Sequence, residues 1–338
     1  MGHRRGALAA IRAIPFFGAI TPPRCRFRLL MLIMKIAVPD LISPSYLPAE
    51  AAVTLGFFDA EGIEAELELI APVEAAYAAM RDGRVDIVAG SAHSTLSAFP
   101  RWDGARLLCA QSQGLYWFLV MRSDIGAQRG DLNCVKGRRI GAAPWVGMGL
   151  RQMLVDSGID MKRDGVDLVT VPGSVGKKIN IGVVAARALA ERSIDGFWAN
   201  GMGAEIAVLS GAGTLVIDAR RGDGPKQAFN YTMATLATTD RLIKDRPHEA
   251  AGAVRALVAA QKALHADVTL AAKVGAALFP TEAEHIVTLV RRDLPYYEAK
   301  LTPEFITGMN RFARSLGILD IDVPYSSVVA SQFSGLWR

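Results

Sequence analysis

The chain has 338 residues, 51% of them hydrophobic and 21% charged, which excludes a disordered protein and leaves room for two lobes of ordinary domain size. Its formal charge of +5 does not mark a nucleic-acid binder. Six of the 38 basic residues (Arg4, Arg5, Arg12, Arg24, Arg26, Arg28) fall within residues 1–33, which hold no acid, so the rest has 32 basic against 33 acidic residues, a net of −1, and no basic stripe interleaved with aromatics.

Residues 1–33 start basic (His3, Arg4, Arg5), run into an apolar stretch broken by Arg12 and Pro15, and end on a second apolar patch, LLMLIM. Two readings fit this leader: a secretory signal without a clean A-x-A cleavage site, or a start codon called too early, with Met34 opening the true chain at MKIAVPD. Either way the leader stands outside the fold. No stretch reaches the roughly 18–20 uninterrupted apolar residues of a membrane span.

From Lys35 onward strand and helix signals alternate. IAVP reads as a strand, SYLPAEAAVTLGFFDAEG as one helix stopped by Gly62, IEAELELI as an alternating strand, PVEAAYAAMRDG as a helix and VDIVAG as a third strand. That β-α-β-α-β order predicts a parallel sheet whose ligands bind beyond the carboxyl ends of its strands, at Pro39–Tyr46, Ala71–Pro72 and Gly90–Thr95. ARLLCAQSQ and YWFLVMRS read as two strands joined through Gly114. After a polar stretch the alternation restarts with RRIGAAP, VGMGLRQMLVDSGI, VDLVTVP, IGVVAARALAERS, IDGFWAN, MGAEIAVLSGAG and TLVIDA, so the second lobe reads as a copy of the first. TMATLATTDRLI reads as a crossing back into lobe one. From Pro247 on, alanine-rich helices are expected to clad that lobe, the final one lying across both. The expected fold is therefore α/β in two lobes, each a mixed sheet flanked by helices, with lobe 1 made of 35–117 plus 236–338 and lobe 2 of 118–235.

The candidate site residues sit at strand-to-helix turns. Val85–Phe99 runs from a buried strand into Ser91, His93, Ser94 and Thr95, and small polar residues there leave helix N–H groups open to an anion or polar head. Plain N-capping is the competing reading. His93 reads equally as a neutral donor to a ligand or as a capping residue turned away. In the second lobe Trp145, Val146, Gly147 and Met148 occupy the matching turn, where glycine permits close backbone approach and Trp145 offers either a flat wall or core packing. Trp198 and Asn200 end the IDGFWAN strand in the same way. Ser43, Ser45 and Tyr46 follow the first strand, Tyr116 and Trp117 lie at the outgoing crossing, and Phe229, Asn230 and Tyr231 precede the return. Together they predict a pocket of aromatic and neutral polar groups for a modest organic ligand, with an anionic head held by helix N-termini.

Other chemistry is not indicated. Cys25, Cys109 and Cys134 show neither CxxC nor metal-ligand spacing, so neither a zinc site nor a disulfide framework is predicted, and Cys109 reads as a buried strand residue. SVGKKINIG, residues 174–182, lacks the spacing of a phosphate loop, which leaves Lys177 and Lys178 as surface charge; Arg101 and Arg151 read as solvated. There is no nucleophile elbow, HExxH motif or paired-carboxylate arrangement, and no cofactor or catalytic residue is assigned.

Four motifs, GFFDAEG (56–62), GRVD (83–86), KGRRIG (136–141) and IDG (194–196), stand in an order that resembles the substrate-binding proteins of ABC importers. The resemblance is to their sulfonate/nitrate/taurine-type group and its thiamine-pyrimidine relatives, and it spans roughly residues 35–245. It implies a periplasmic-binding-protein type II fold closing like a Venus flytrap on a ligand, with hinges near Leu115–Met121 and Tyr231–Thr239. It also implies a non-catalytic, monomeric carrier of a small molecule, partnered by a membrane ABC permease, with no nucleic acid, and periplasmic or exported. A start at Met34 would instead place it in the cytoplasm. Enzymes are known on this scaffold, so a pyrimidine-synthesis-like or aromatic-acid decarboxylase-like activity using His93 is the alternative. His93 stands one residue out of step with the pyrimidine-synthesis histidine, and the cysteine-rich motif of those enzymes is missing.

Overall fold

A computed structural model describes residues 1–2, 33–174 and 180–338; the remainder of the leader, with Cys25, and Lys177 and Lys178 lie outside the described residues. Among the described residues ten strands follow in chain order: β1 Met34–Val38, β2 Ala65–Leu69, β3 Ile87–Ser91, β4 Ala105–Ser112, β5 Phe118–Arg122, β6 Arg139–Gly141, β7 Asp167–Val169, β8 Gly196–Ala199, β9 Gly213–Asp218 and β10 Ala234–Thr239. They form two five-stranded sheets, ordered β2-β1-β3-β10-β4 and β7-β6-β8-β5-β9.

The two sheets share one plan. In the first, β1 pairs parallel with β2 and β3, joined by helices as a parallel pair requires, and β10 runs antiparallel between β3 and β4. In the second, β6 pairs parallel with β7 and β8, and β5 runs antiparallel between β8 and β9. The antiparallel strand of each sheet is the first strand after the chain crosses from the other. Crossings therefore occupy 113–117 and 219–233, earlier than the expected hinges, because β5 already begins at Phe118 and β10 at Ala234.

Local chemistry explains the departures from the expected elements. The long first helix divides into Leu47–Thr54 and Phe57–Ala60, because Gly56 takes the left-handed conformation (φ +80°) between them. The segment after β3 is a 3₁₀ helix, Ala92–Ser97, in which the Ser91 and Ser94 hydroxyls bond each other at 2.6 Å. At the first crossing Gly114 (φ +76°) lies under the Phe229 ring, and a Cβ there would approach within 2.5 Å.

The alanine-rich helix Pro247–Ala266 buries Ala250, Ala253, Val254, Leu257 and Leu264 beside the first sheet's helices. Close approach is needed: a Cβ at Gly252 would come within 2.5 Å of Ile63. Cys109 is buried in β4, whose edge is covered by the tail, with Ala330 N–H donating to the Leu107 carbonyl and Trp337 Nε1 to that of Leu108. Helix Pro303–Ser315 buries Phe305, Ile306, Met309, Phe312 and Ala313 on one side, and its last residue, Ser315, donates to Gln152 of helix Pro144–Asp156. It thus touches both lobes. Among the described residues no helix is long and apolar enough to cross a membrane.

Candidate ligand-binding site

The strand ends of the two sheets meet around a cavity of about 600 Å³, its mouth included. The first lobe contributes Pro39, Asp40, Ser43, Tyr46, Pro72, Val73 and Ser91; the crossing adds Trp117; the second lobe adds Ala143, Val146, Ile181, Gly182, Trp198, Ala199 and Asn200. Each polar group arrives there for a local reason. Asp40 and Ser43 follow β1, where the chain turns into helix Leu47–Thr54, and Asp40 Oδ1 accepts the Ile42 N–H at 3.1 Å. Asn180 and Asn200 are N-caps: the Asn180 side-chain oxygen accepts from Gly182 and Val183 N–H, and that of Asn200 from Gly203 N–H.

Their amide nitrogens then turn across the cleft to one carboxyl. Asn180 Nδ2 donates to Asp40 Oδ1 at 2.8 Å, and Asn200 Nδ2 donates to Oδ2 in a short contact. Two helix N-termini of lobe two thus reach Asp40 of lobe one through asparagine relays. Burial raises the Asp40 pKa, and the bonds from Ile42, Asn200 and Asn180 oppose that rise. Behind it, the fully buried Glu50 has neither carboxyl oxygen bonded, and burial, with the nearby Asp40 charge, holds its pKa well above its ordinary value. Tyr46 shares a 2.6 Å hydroxyl contact with Tyr116.

Of the residues singled out from the sequence, Ser43, Tyr46, Ser91, Trp117, Val146, Trp198 and Asn200 line this cavity. The others do not. Ser45 accepts from the buried Arg220 at 3.2 Å, and Ser94 is held by Ser91. Gly147 and Met148 face a neighbouring cavity on the far side of their helix, and Asn230 faces the groove beside helix Pro303–Ser315. Trp145 turns back toward His93, its carbonyl accepting from His93 Nε2 at 3.1 Å and the two rings lying 5.8 Å apart.

His93 itself is fully buried in the seam between the lobes. A carbonyl only accepts, so the ring proton sits on Nε2; Nδ1 accepts the Thr232 hydroxyl at 3.0 Å, and Thr232 in turn accepts the His93 N–H at 3.3 Å. Burial pushes its pKa down to about 4, against the bond to Trp145, so the ring is neutral with both nitrogens engaged. Arg101, expected to be solvated, is exposed but paired with Asp320.

Sequence reasoning passed over Asp40 and Asn180 as site residues. Their signal was an acid directly after a buried strand, and an asparagine in N-cap position before a helix, as at Asn200. Replacing Asn200 with Ala removes a cap and one arm of the Asp40 bridge. Loss of the cap alone is worth about 1 kcal/mol, so chemical denaturation should show at least that loss, and a stability unchanged from wild type would contradict the relay.

No family model matches this chain, and no curated protein matches it. Solved structures do. A protein of Bordetella bronchiseptica RB50 aligns at TM-score 0.70 and 21% identity, covering 89% of this chain and 95% of that one. The putative periplasmic sulfonate-binding protein SsuA of a sulfonate ABC transporter from Methylobacillus flagellatus KT aligns at TM-score 0.64 and 14% identity, covering 90% and 93%. DSZB, a desulfurization enzyme solved with biphenyl-2-sulfinic acid, aligns at TM-score 0.63 and 18% identity, covering 90% and 98%. At these identities the likeness establishes the fold: this chain has the two-lobe α/β architecture of the periplasmic binding proteins.

Proposed function

We propose that this chain is the solute-binding component of an ABC-type importer, holding a small organic ligand with an anionic head, sulfonate- or aromatic-acid-like, between its lobes. One observation carries the reading: the cavity is lined from both lobes, so a ligand there touches both sets of residues only when the lobes are together. Such a ligand shifts an open–closed equilibrium toward the closed form, which a membrane permease can recognise. The fold shared with SsuA supports a periplasmic or exported carrier, and the uncapped N-terminus of helix Pro144–Asp156, with Ala143 and Val146 on the cavity wall, suits an anionic head.

DSZB keeps an enzymatic reading in view. It finds little support in His93, which lies outside the cavity lining and has both ring nitrogens bonded. No cysteine lines the cavity among the described residues, and the titratable groups that do are Asp40 and Tyr46. The test is thermal unfolding against a panel of sulfonates, nitrate, carboxylates and pyrimidines. A true ligand at 100 times its Kd should add about 2.7 kcal/mol and raise Tm with concentration. A flat Tm across the whole panel would overturn the carrier reading, and turnover of a bound compound would favour the enzyme.

A further inference from the structure

We infer that a groove between helix Pro303–Ser315 and the segment 322–325 is a docking site for an extended segment of a partner protein, one that carries an acid beside an apolar residue. The groove shares no residue with the lining of the ligand cleft. It encloses about 1200 Å³, its mouth included, with Ile306, Asn310 and Arg311 on one wall and Asp322, Val323 and Tyr325 on the other. Pro303 and Ser315 also line it, so it runs the length of the helix. At 1.5 Å per residue that is about 18 Å, the span of roughly five or six extended residues.

Both walls carry polar groups that the chain itself leaves unmet. Asn310 is 5% exposed, and its Nδ2 donates to the Val323 carbonyl at 2.8 Å. A carbonyl only accepts, which fixes the amide orientation, and Oδ1 is left without a hydrogen-bond partner. A buried acceptor left unpaired is costly, and a backbone N–H from outside would satisfy it. On the opposite wall the backbone N–H groups of Asp322 and Val323 make no hydrogen bond among the described residues. Free acceptors and free main-chain donors side by side are what an extended peptide, with its alternating N–H and C=O groups, can pair.

The side chains set the sequence of the occupant. Arg314 is held by Asp322 at 3.0 Å, whereas Arg311 has no ion-pair or hydrogen-bond partner among the described residues, so the unspent charge of the groove is positive. That charge calls for an acid. Ile306, Pro303, Pro324 and the Tyr325 ring supply apolar wall beside it, and Ile321, next to this segment, keeps 48% of its surface exposed. The leader of this chain does not answer the description, because residues 1–33 hold no Asp or Glu. The occupant is therefore a segment of another protein.

A phage library of random linear nonapeptides, panned on the full chain, tests this. Selected peptides should share an acid next to an apolar residue, and synthetic copies should bind by calorimetry. Arg311→Glu should weaken them by roughly fivefold or more, the worth of an exposed ion pair and its reversal, and panning on that variant should select a base in place of the acid. Thr307 is exposed and lines the groove, so Thr307→Trp should block binding without touching the core. Methylating the peptide nitrogens one at a time should expose one position, the donor to Asn310, where affinity falls roughly threefold to tenfold. Failure to select any peptide, or binding that ignores both variants, would overturn the inference. So would self-association of the chain in sedimentation that Arg311→Glu removes, since a second copy would then be the occupant.

Discussion

Asp293→Ala should destabilise the protein by about 3–5 kcal/mol, the range for removing one partner of a buried ion pair. Arg220 and Asp293 are both 0% exposed in their side chains, and Arg220 Nη1 donates to Asp293 Oδ2 at 3.0 Å. Asp293 also accepts from Arg221 Nη2 at 2.9 Å, and Arg221 holds Asp218 at 2.8 Å. The loss comes from what is left behind. Burial lowers the Arg220 pKa and the Asp293 charge opposes that, so without Asp293 a guanidinium would stay in the interior on hydroxyl and carbonyl partners alone. Those partners are Ser112 Oγ at 2.7 Å, Ser45 Oγ at 3.2 Å and the Gly114 carbonyl at 3.4 Å, with the Tyr296 ring 4.9 Å away.

Arg220 opens the second crossing, while Ser112 and Gly114 flank the start of the first. The same cluster thus fixes both inter-lobe connections to each other and to helix Ala283–Asp293. Denaturant unfolding should separate the terms. Arg220→Met combined with Asp293→Asn should recover much of the single-mutant loss, because no unpaired charge remains inside. A loss below about 1 kcal/mol for Asp293→Ala, the worth of an exposed pair, would show that water reaches the cluster.

Acid should weaken the structure through His93, and His93→Gln should remove that component. In the unfolded chain the ring takes up its proton near its ordinary pKa of about 6.5, whereas in the fold burial defers this to about 4. The folded-state pKa is the lower one, so the contribution is whole above pH 6.5 and drains away as pH falls through 4. The total is about 3 kcal/mol. Asp40 and Glu50 run the other way, since their raised pKa values mean that protonation on acidification favours the fold. The informative measurement is therefore the difference in unfolding free energy between wild type and His93→Gln at each pH from 7 to 4. Parallel curves would show that His93 is solvated in the folded protein. His93 ties its own lobe to the Trp145 carbonyl and packs on Trp117 and Phe312, so the lobe seam should loosen over the same range.

The fold was legible because period and punctuation agree along the chain. Strands such as IVAGS are wholly buried, helices such as Val73–Arg81 carry proline before them and glycine after, and the alternation repeats in the second half. Aromatic and amide residues at strand ends, Trp198 and Asn200 among them, could be placed at the cleft from that order alone. The partners could not. Asp40 meets Asn180 and Asn200 across 140 and 160 residues, and His93 meets Trp145 across 52, distances over which local pattern carries no information. Gly147 and Met148 went astray for a related reason: turn position is read from sequence, but which side of a helix faces the cleft depends on how the helix docks.

The exchange of strands between the sheets bears on how the chain acquires its structure. All five strands of the second sheet lie within residues 118–218, so that sheet can assemble as soon as this stretch has been made. The first sheet cannot. Until β10 arrives, more than 120 residues after β4, the positions between β3 and β4 stand open, two unpaired strand edges facing a gap. Contacts of such long sequence separation form slowly, and open edges invite association with other chains. The first lobe to begin emerging is thus the last to be completed. A chain cut after residue 218 would carry one finished sheet and one that exposes its interior.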